Sequence, residues 1–92
     1  MQIMTNRGKT FEADWTLLTE TRNGAKQLVI QLPGDTDLHE VINELVGVDT
    51  IRESKGDGEC PPHEGYTQFA SLIYSTDRKA MRLTLERSDG NG

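Results

Sequence analysis

The spacing of apolar and polar residues divides the chain into short elements. Gln2 to Thr5 reads as a short strand, and Asn6-Arg7-Gly8-Lys9 supplies the chemistry of a turn. From Thr10 to Leu18 the pattern alternates. Phe11, Ala13, Trp15 and Leu17 fall on one side, with Glu12, Asp14 and Thr16 on the other. This period of two predicts a strand with one buried and one wet face, and places Trp15 in the core. Arg22-Asn23-Gly24-Ala25 reads as a second turn. Gln27 to Leu32 follows as a strand with Leu28, Ile30 and Leu32 inward, ended by Pro33-Gly34.

The period then changes. Leu38, Val41, Ile42, Leu45 and Val46 repeat at helical spacing and predict one apolar stripe on an amphipathic helix. Asp37 is placed as its N-cap, with Glu40 three residues on as in a capping box. Gly47 is placed to close it. His39, Glu40, Asn43 and Glu44 fall on its wet face. Val48 to Glu53 reads as another strand. Residues 54–65 lack periodicity and read as a long loop, stiffened by Pro61-Pro62. In the strand Tyr66 to Tyr74, Ala70, Leu72 and Tyr74 face one side, and Phe69 and Ile73 the other. Ala80 to Glu86 alternates cleanly, with Met81, Leu83 and Leu85 on one face.

The expected order is β-β-β-α-β-β-β, an α+β fold. Hairpins at both ends imply a mainly antiparallel curled sheet or a small open β-barrel, with one amphipathic helix covering it. The expected domain is a single small one over residues 1–87, with a polar C-terminal tail over 88–92.

Composition narrows the functional classes. The chain has 92 residues, 34% hydrophobic and 27% charged. It is too short for a two-domain enzyme, and no apolar run approaches the roughly 20 residues of a membrane span. The formal charge is −5. It arises entirely in residues 35–64, which hold nine acidic groups against Arg52 and Lys55. Acidity argues against nucleic acid, whose binding needs Lys and Arg to displace counterions. A protein partner fits better, whether basic or a second copy of the chain. Part of the acidic excess has a local reason, because Asp35, Asp37 and Glu40 sit at the positive end of the helix dipole.

Candidate chemistry is sparse. Cys60 is the only cysteine, so no internal disulfide forms. A lone thiol, and an N-terminus without a basic stretch leading into an apolar one, lead to an expected cytoplasmic location. Cys60 and His63 stand at C-x-x-H spacing, but a zinc site needs further ligands that the sequence does not bring near. As a nucleophile and base the same pair is flanked by Asp57, Glu59 and Glu64, whose charge opposes thiolate formation. No calcium loop, phosphate cradle or Ser-His-Asp set is present. No cofactor, metal or catalytic residue is therefore expected. The candidate interaction surface comprises His39, Glu40, Asn43, Glu44, Asp57, Glu59, His63 and Tyr66.

The string Glu64-Gly65-Tyr66-Thr67-Gln68-Phe69, the apolar strand after it, Met81 to Leu85, and the opening Met-Gln-Ile with Thr10-Phe11 resemble small proteins of prophages and related mobile elements of gut Firmicutes. Genes for such proteins often lie among those for virion structure. The resemblance is one of layout and carries no catalytic motif. It implies a cytoplasmic or virion-associated protein that acts through protein contacts, with virion assembly as a setting. Three expectations follow: a non-enzymatic structural or assembly module, a small acidic inhibitor or decoy for a basic host protein, or an enzyme using Cys60 and His63.

Overall fold

The computed structural model describes residues 1–54, 62–77 and 79–87. Among these the fold is α+β, with two antiparallel four-stranded sheets and one short helix, and no barrel closes.

The first hairpin joins β1 (Gln2–Thr5) to β2 (Thr10–Glu12), with Ile3 opposite Phe11. Its turn is held by Thr5, whose Oγ1 accepts from the backbone N–H of Arg7 and of Lys9 at 3.2 and 3.3 Å. This internal use explains why a threonine is tolerated in a buried position. Strand β3 (Trp15–Glu20) pairs with β4 (Lys26–Pro33) from Trp15↔Gln31 to Glu20↔Lys26. After the helix come β5 (Thr50–Ser54), β6 (His63–Glu64), β7 (Gln68–Ser75) and β8 (Ala80–Glu86).

The strands sort into sheets by long-range pairing. One sheet has the order β2-β1-β5-β6 and the other β3-β4-β8-β7. In the second, Leu28, Ile30 and Leu32 stand opposite Leu85, Leu83 and Met81. Directly opposed residues share a face, so these six form a continuous inner layer. They join Ile3, Phe11 and Ile51 of the first sheet in a single hydrophobic cluster.

The predicted strand 10–18 is two strands. The chain leaves the first sheet after Glu12 and enters the second at Trp15, with Ala13 buried at the corner. Crossing between sheets resets which parity points inward. On β3 the residues opposite Leu28 and Ile30 are Leu18 and Thr16, so Trp15 and Leu17 lie on the outer face. Trp15 is therefore half-buried rather than a core residue.

The helical segment forms where its pattern predicts, but it winds differently. Asp37 caps it as expected, its Oδ1 accepting from the N–H groups of His39 at 2.9 Å and Glu40 at 3.4 Å. One α-helical turn, Leu38–Glu40, widens into a π-helical turn, Val41–Leu45. The bond from Val46 N–H to the Val41 carbonyl, 3.2 Å, spans five residues. Gly47 follows at φ 89°, the left-handed conformation expected of the closing residue. Val41 and Leu45 are fully buried, but Leu38 and Ile42 of the predicted stripe are exposed. Wider winding rotates them away from the core.

A second register change occurs on β7. A bulge between Phe69 and Ser71 brings Phe69 opposite Leu85, and Leu72 and Tyr74 opposite Leu83 and Met81. Phe69 thus shares the face of Leu72 and Tyr74 instead of opposing it, because the extra residue flips the alternation.

Candidate interaction surface

Four predicted surface residues lie on the helix. His39, Glu40 and Asn43 are exposed and Glu44 is half-buried. Their environment is less acidic than the sequence implies. Lys9, from the β1–β2 turn, reaches Glu40 with Nζ 3.0 Å from Oε1. Arg7 from the same turn donates from Nη1 to the carbonyl of Asn43 at 3.2 Å. The helix end is thus partly neutralised by two cations of its own chain. Asp57, Glu59 and Cys60 lie outside the described residues.

His63 and Tyr66 are not on an exposed face, which corrects their expected place on the interaction surface. Tyr66 is only 7% exposed and belongs to the core cluster. His63 sits on β6 opposite Ile51, so it shares the inward face of β5. Its Nε2 donates to Glu53 Oε2, and the Thr16 hydroxyl donates to the same oxygen at 2.6 Å. The Tyr66 ring meets the His63 ring edge-on at 6.3 Å. Glu53 is thereby a buried acceptor that ties β5 and β6 of one sheet to β3 of the other. Sequence reasoning missed it. The signal was present, because Glu53 stands two residues after the inward Ile51, and parity alone sends it inward. Among the described residues no group of three His, Cys, Asp or Glu side chains could hold a metal ion.

The exposed apolar residues concentrate on the second sheet. Strands β3 and β7 are its two edges. Leu17 and Leu18 on β3 are 56% and 54% exposed, and on β7 Phe69, Ile73 and Tyr74 are more than half exposed. Exposure of consecutive Leu17 and Leu18 means that both faces of β3 meet solvent at its free side. The outer face between the edges carries a row of opposed residues, Trp15, Gln31, Arg82 and Ile73. The Arg82 guanidinium lies over the Trp15 ring at 5.3 Å and donates to Gln31 Oε1 at 3.4 Å. Beside β3 an open cleft of about 500 Å³ is lined by Leu18, Thr19, Glu20, Lys26, Tyr66 and Arg87.

The two edges are not alike. β7 carries the bulge at Phe69/Ser71, a device that bends an edge away from further pairing. β3 runs in unbroken register over all six residues, with no proline and a single charge, Glu20, at its end. Among the described helices none is long and apolar enough to cross a membrane. No protein-family model matches the chain, and neither does any curated protein or solved structure.

Proposed function

We propose that this chain is a non-enzymatic structural or assembly module that acts through protein–protein contacts. The observation that carries this reading is the β3 edge. A regular edge strand with two adjacent exposed leucines is a template for pairing with another chain. Monomeric proteins blunt such edges with lysines, prolines, bulges or covering loops, and β3 has none of these among the described residues. The resemblance in layout to small prophage proteins agrees with such a role.

The acidic inhibitor reading draws less support. Glu40 is already paired with Lys9, so part of the acidic face is spent within the chain. The Cys60–His63 enzyme reading is weakened in the same way. His63 Nε2 is committed to a buried carboxylate that also binds Thr16, an arrangement suited to bracing two sheets. The test is light scattering after size exclusion, followed by affinity capture from lysate of the source organism. A defined oligomer or a stoichiometric complex supports the reading. A strictly monomeric protein that captures nothing rejects it.

A further inference from the structure

We infer that the partner of β3 is β3 of a second copy, in an antiparallel pairing centred on Leu18 that joins two four-stranded sheets into one of eight strands. This inference rests on the assembly reading and specifies its partner and register.

The argument begins with symmetry. Two identical strands pair antiparallel about a two-fold axis perpendicular to the sheet, the isologous arrangement of most homodimers. Such an axis keeps the outer face outer, so odd-numbered residues of β3 can oppose only odd-numbered residues of the copy. Registers that use most of the strand therefore place either Leu17 or Leu18 on the axis.

Charge decides between them. With Leu17 on the axis, Asp14, in the bend just before β3, comes beside Glu20 at the end of the second copy's strand, and symmetry repeats this repulsion. Like charges directly opposed across strands are destabilising. With Leu18 on the axis, Asp14 comes beside the end of the second copy's strand, where Arg22 enters the turn, again twice. Asp14 and Arg22 are both exposed and flank β3, one in the bend before it and one in the turn after it. In this register Thr16 opposes Glu20, and Leu17 opposes Thr19. Leu18 meets its own copy, which removes two half-exposed leucine side chains from water.

The other edge does not compete equally. Pairing β3 with β7 of the next copy would be heterologous and would build a ring or an open filament rather than a two-fold dimer. The bulge at Phe69/Ser71 interrupts the straight ladder such growth requires.

The test uses single cysteines in the full chain carrying Cys60→Ser. Directly opposed Cβ atoms lie about 4.5–5.5 Å apart, within reach of a disulfide after small adjustment. Leu18→Cys is expected to oxidise to a covalent dimer roughly tenfold faster than Leu17→Cys or Tyr74→Cys, whose copies are not opposed. Two facing charges oppose association strongly, so Leu18→Lys should weaken dimerisation by at least about tenfold, with the circular dichroism spectrum unchanged. Arg22→Glu should weaken the dimer, and adding Asp14→Arg should restore it, a rescue that general destabilisation would not produce.

An oligomer that survives Leu18→Lys and cross-links best at Tyr74→Cys overturns the β3 pairing and leaves the assembly reading standing. Growth into open-ended polymers has the same meaning. Chain that stays monomeric up to its solubility limit, with no preference for Leu18→Cys, overturns this inference. The assembly reading then falls only if affinity capture also fails.

Discussion

Thr16 and Glu53 belong to different sheets, yet the Thr16 hydroxyl donates to Glu53 Oε2 at 2.6 Å. His63 donates to the same oxygen, so one carboxylate closes a bridge between β3, β5 and β6. Removing the carboxylate leaves two donors facing the interior. Glu53→Ala is expected to cost about 3–5 kcal/mol, the usual result of breaking a buried pair. Glu53→Gln keeps an acceptor and should cost less, about 1–2 kcal/mol. A cycle with Thr16→Val, read from urea unfolding, should give a coupling near 1 kcal/mol. Additive single and double variants would show that the two side chains do not interact.

The π-helical turn separates two residues that the helical stripe treats as equivalents. Leu45 is fully buried, whereas Ile42 is 48% exposed. Leu45→Ala should destabilise by about 2–5 kcal/mol through loss of burial and the cavity left behind. Ile42→Ala should fall within about 0.5 kcal/mol of the parent. Equal costs would mean that the turn winds as an ordinary α-helix.

Gly34 lies against the turn that leads into β8. Its N–H donates to the Lys79 carbonyl at 2.6 Å, and a Cβ at Gly34 would sit 3.0 Å from Lys79 Cα and closer still to that carbonyl. Backbone cannot move aside as a flexible side chain can. Gly34→Ala is expected to lower stability by about 1–3 kcal/mol. Lys79 itself has φ 49°, a left-handed conformation that glycine adopts freely. Lys79→Gly should accordingly be neutral or slightly stabilising in thermal melts.

Trp15 is half-buried on the outer face under Arg82. Its fluorescence should be quenched readily by acrylamide, unlike that of a core indole. Arg82→Ala should leave stability within about 1 kcal/mol, as expected for a cation–π contact near the surface, while increasing quenching. A blue-shifted emission resistant to quencher would return Trp15 to the core.

Local order was legible wherever one element obeyed one period. The strands carrying Leu28, Ile30 and Leu32 and Met81, Leu83 and Leu85 are placed correctly by alternation, and Asp37 caps the helix as its side chain suggests. Failures came where a single residue changes the phase. The corner at Ala13 and Asp14 inverts the parity that put Trp15 inside. The bulge near Ala70 moves Phe69 across the sheet, and the wide helical turn exposes Leu38 and Ile42. The corner and the bulge leave no mark in hydrophobic spacing, because each depends on which strand lies alongside. The expected surface failed differently. Periodicity places His63 in a loop and Tyr66 at the start of a strand, both on the contact surface, but pairing of β6 with β5 draws His63 inward and Tyr66 joins the core. Glu53, the residue that organises this cluster, was passed over because carboxylates are seldom buried.

Pairing of β4 with β8 has a kinetic consequence. It joins Gln27–Pro33 to Ala80–Glu86, so the central ladder of the second sheet closes only when two segments about fifty residues apart have met. The β3–β4 and β7–β8 hairpins can form from local sequence, but each leaves half of its apolar layer uncovered. Such non-local topology belongs with domains that fold in about milliseconds to seconds. During synthesis Leu28, Ile30 and Leu32 must wait for some fifty further residues before their partners emerge. Throughout that interval the nascent β3–β4 hairpin carries an apolar face still without its β8 cover.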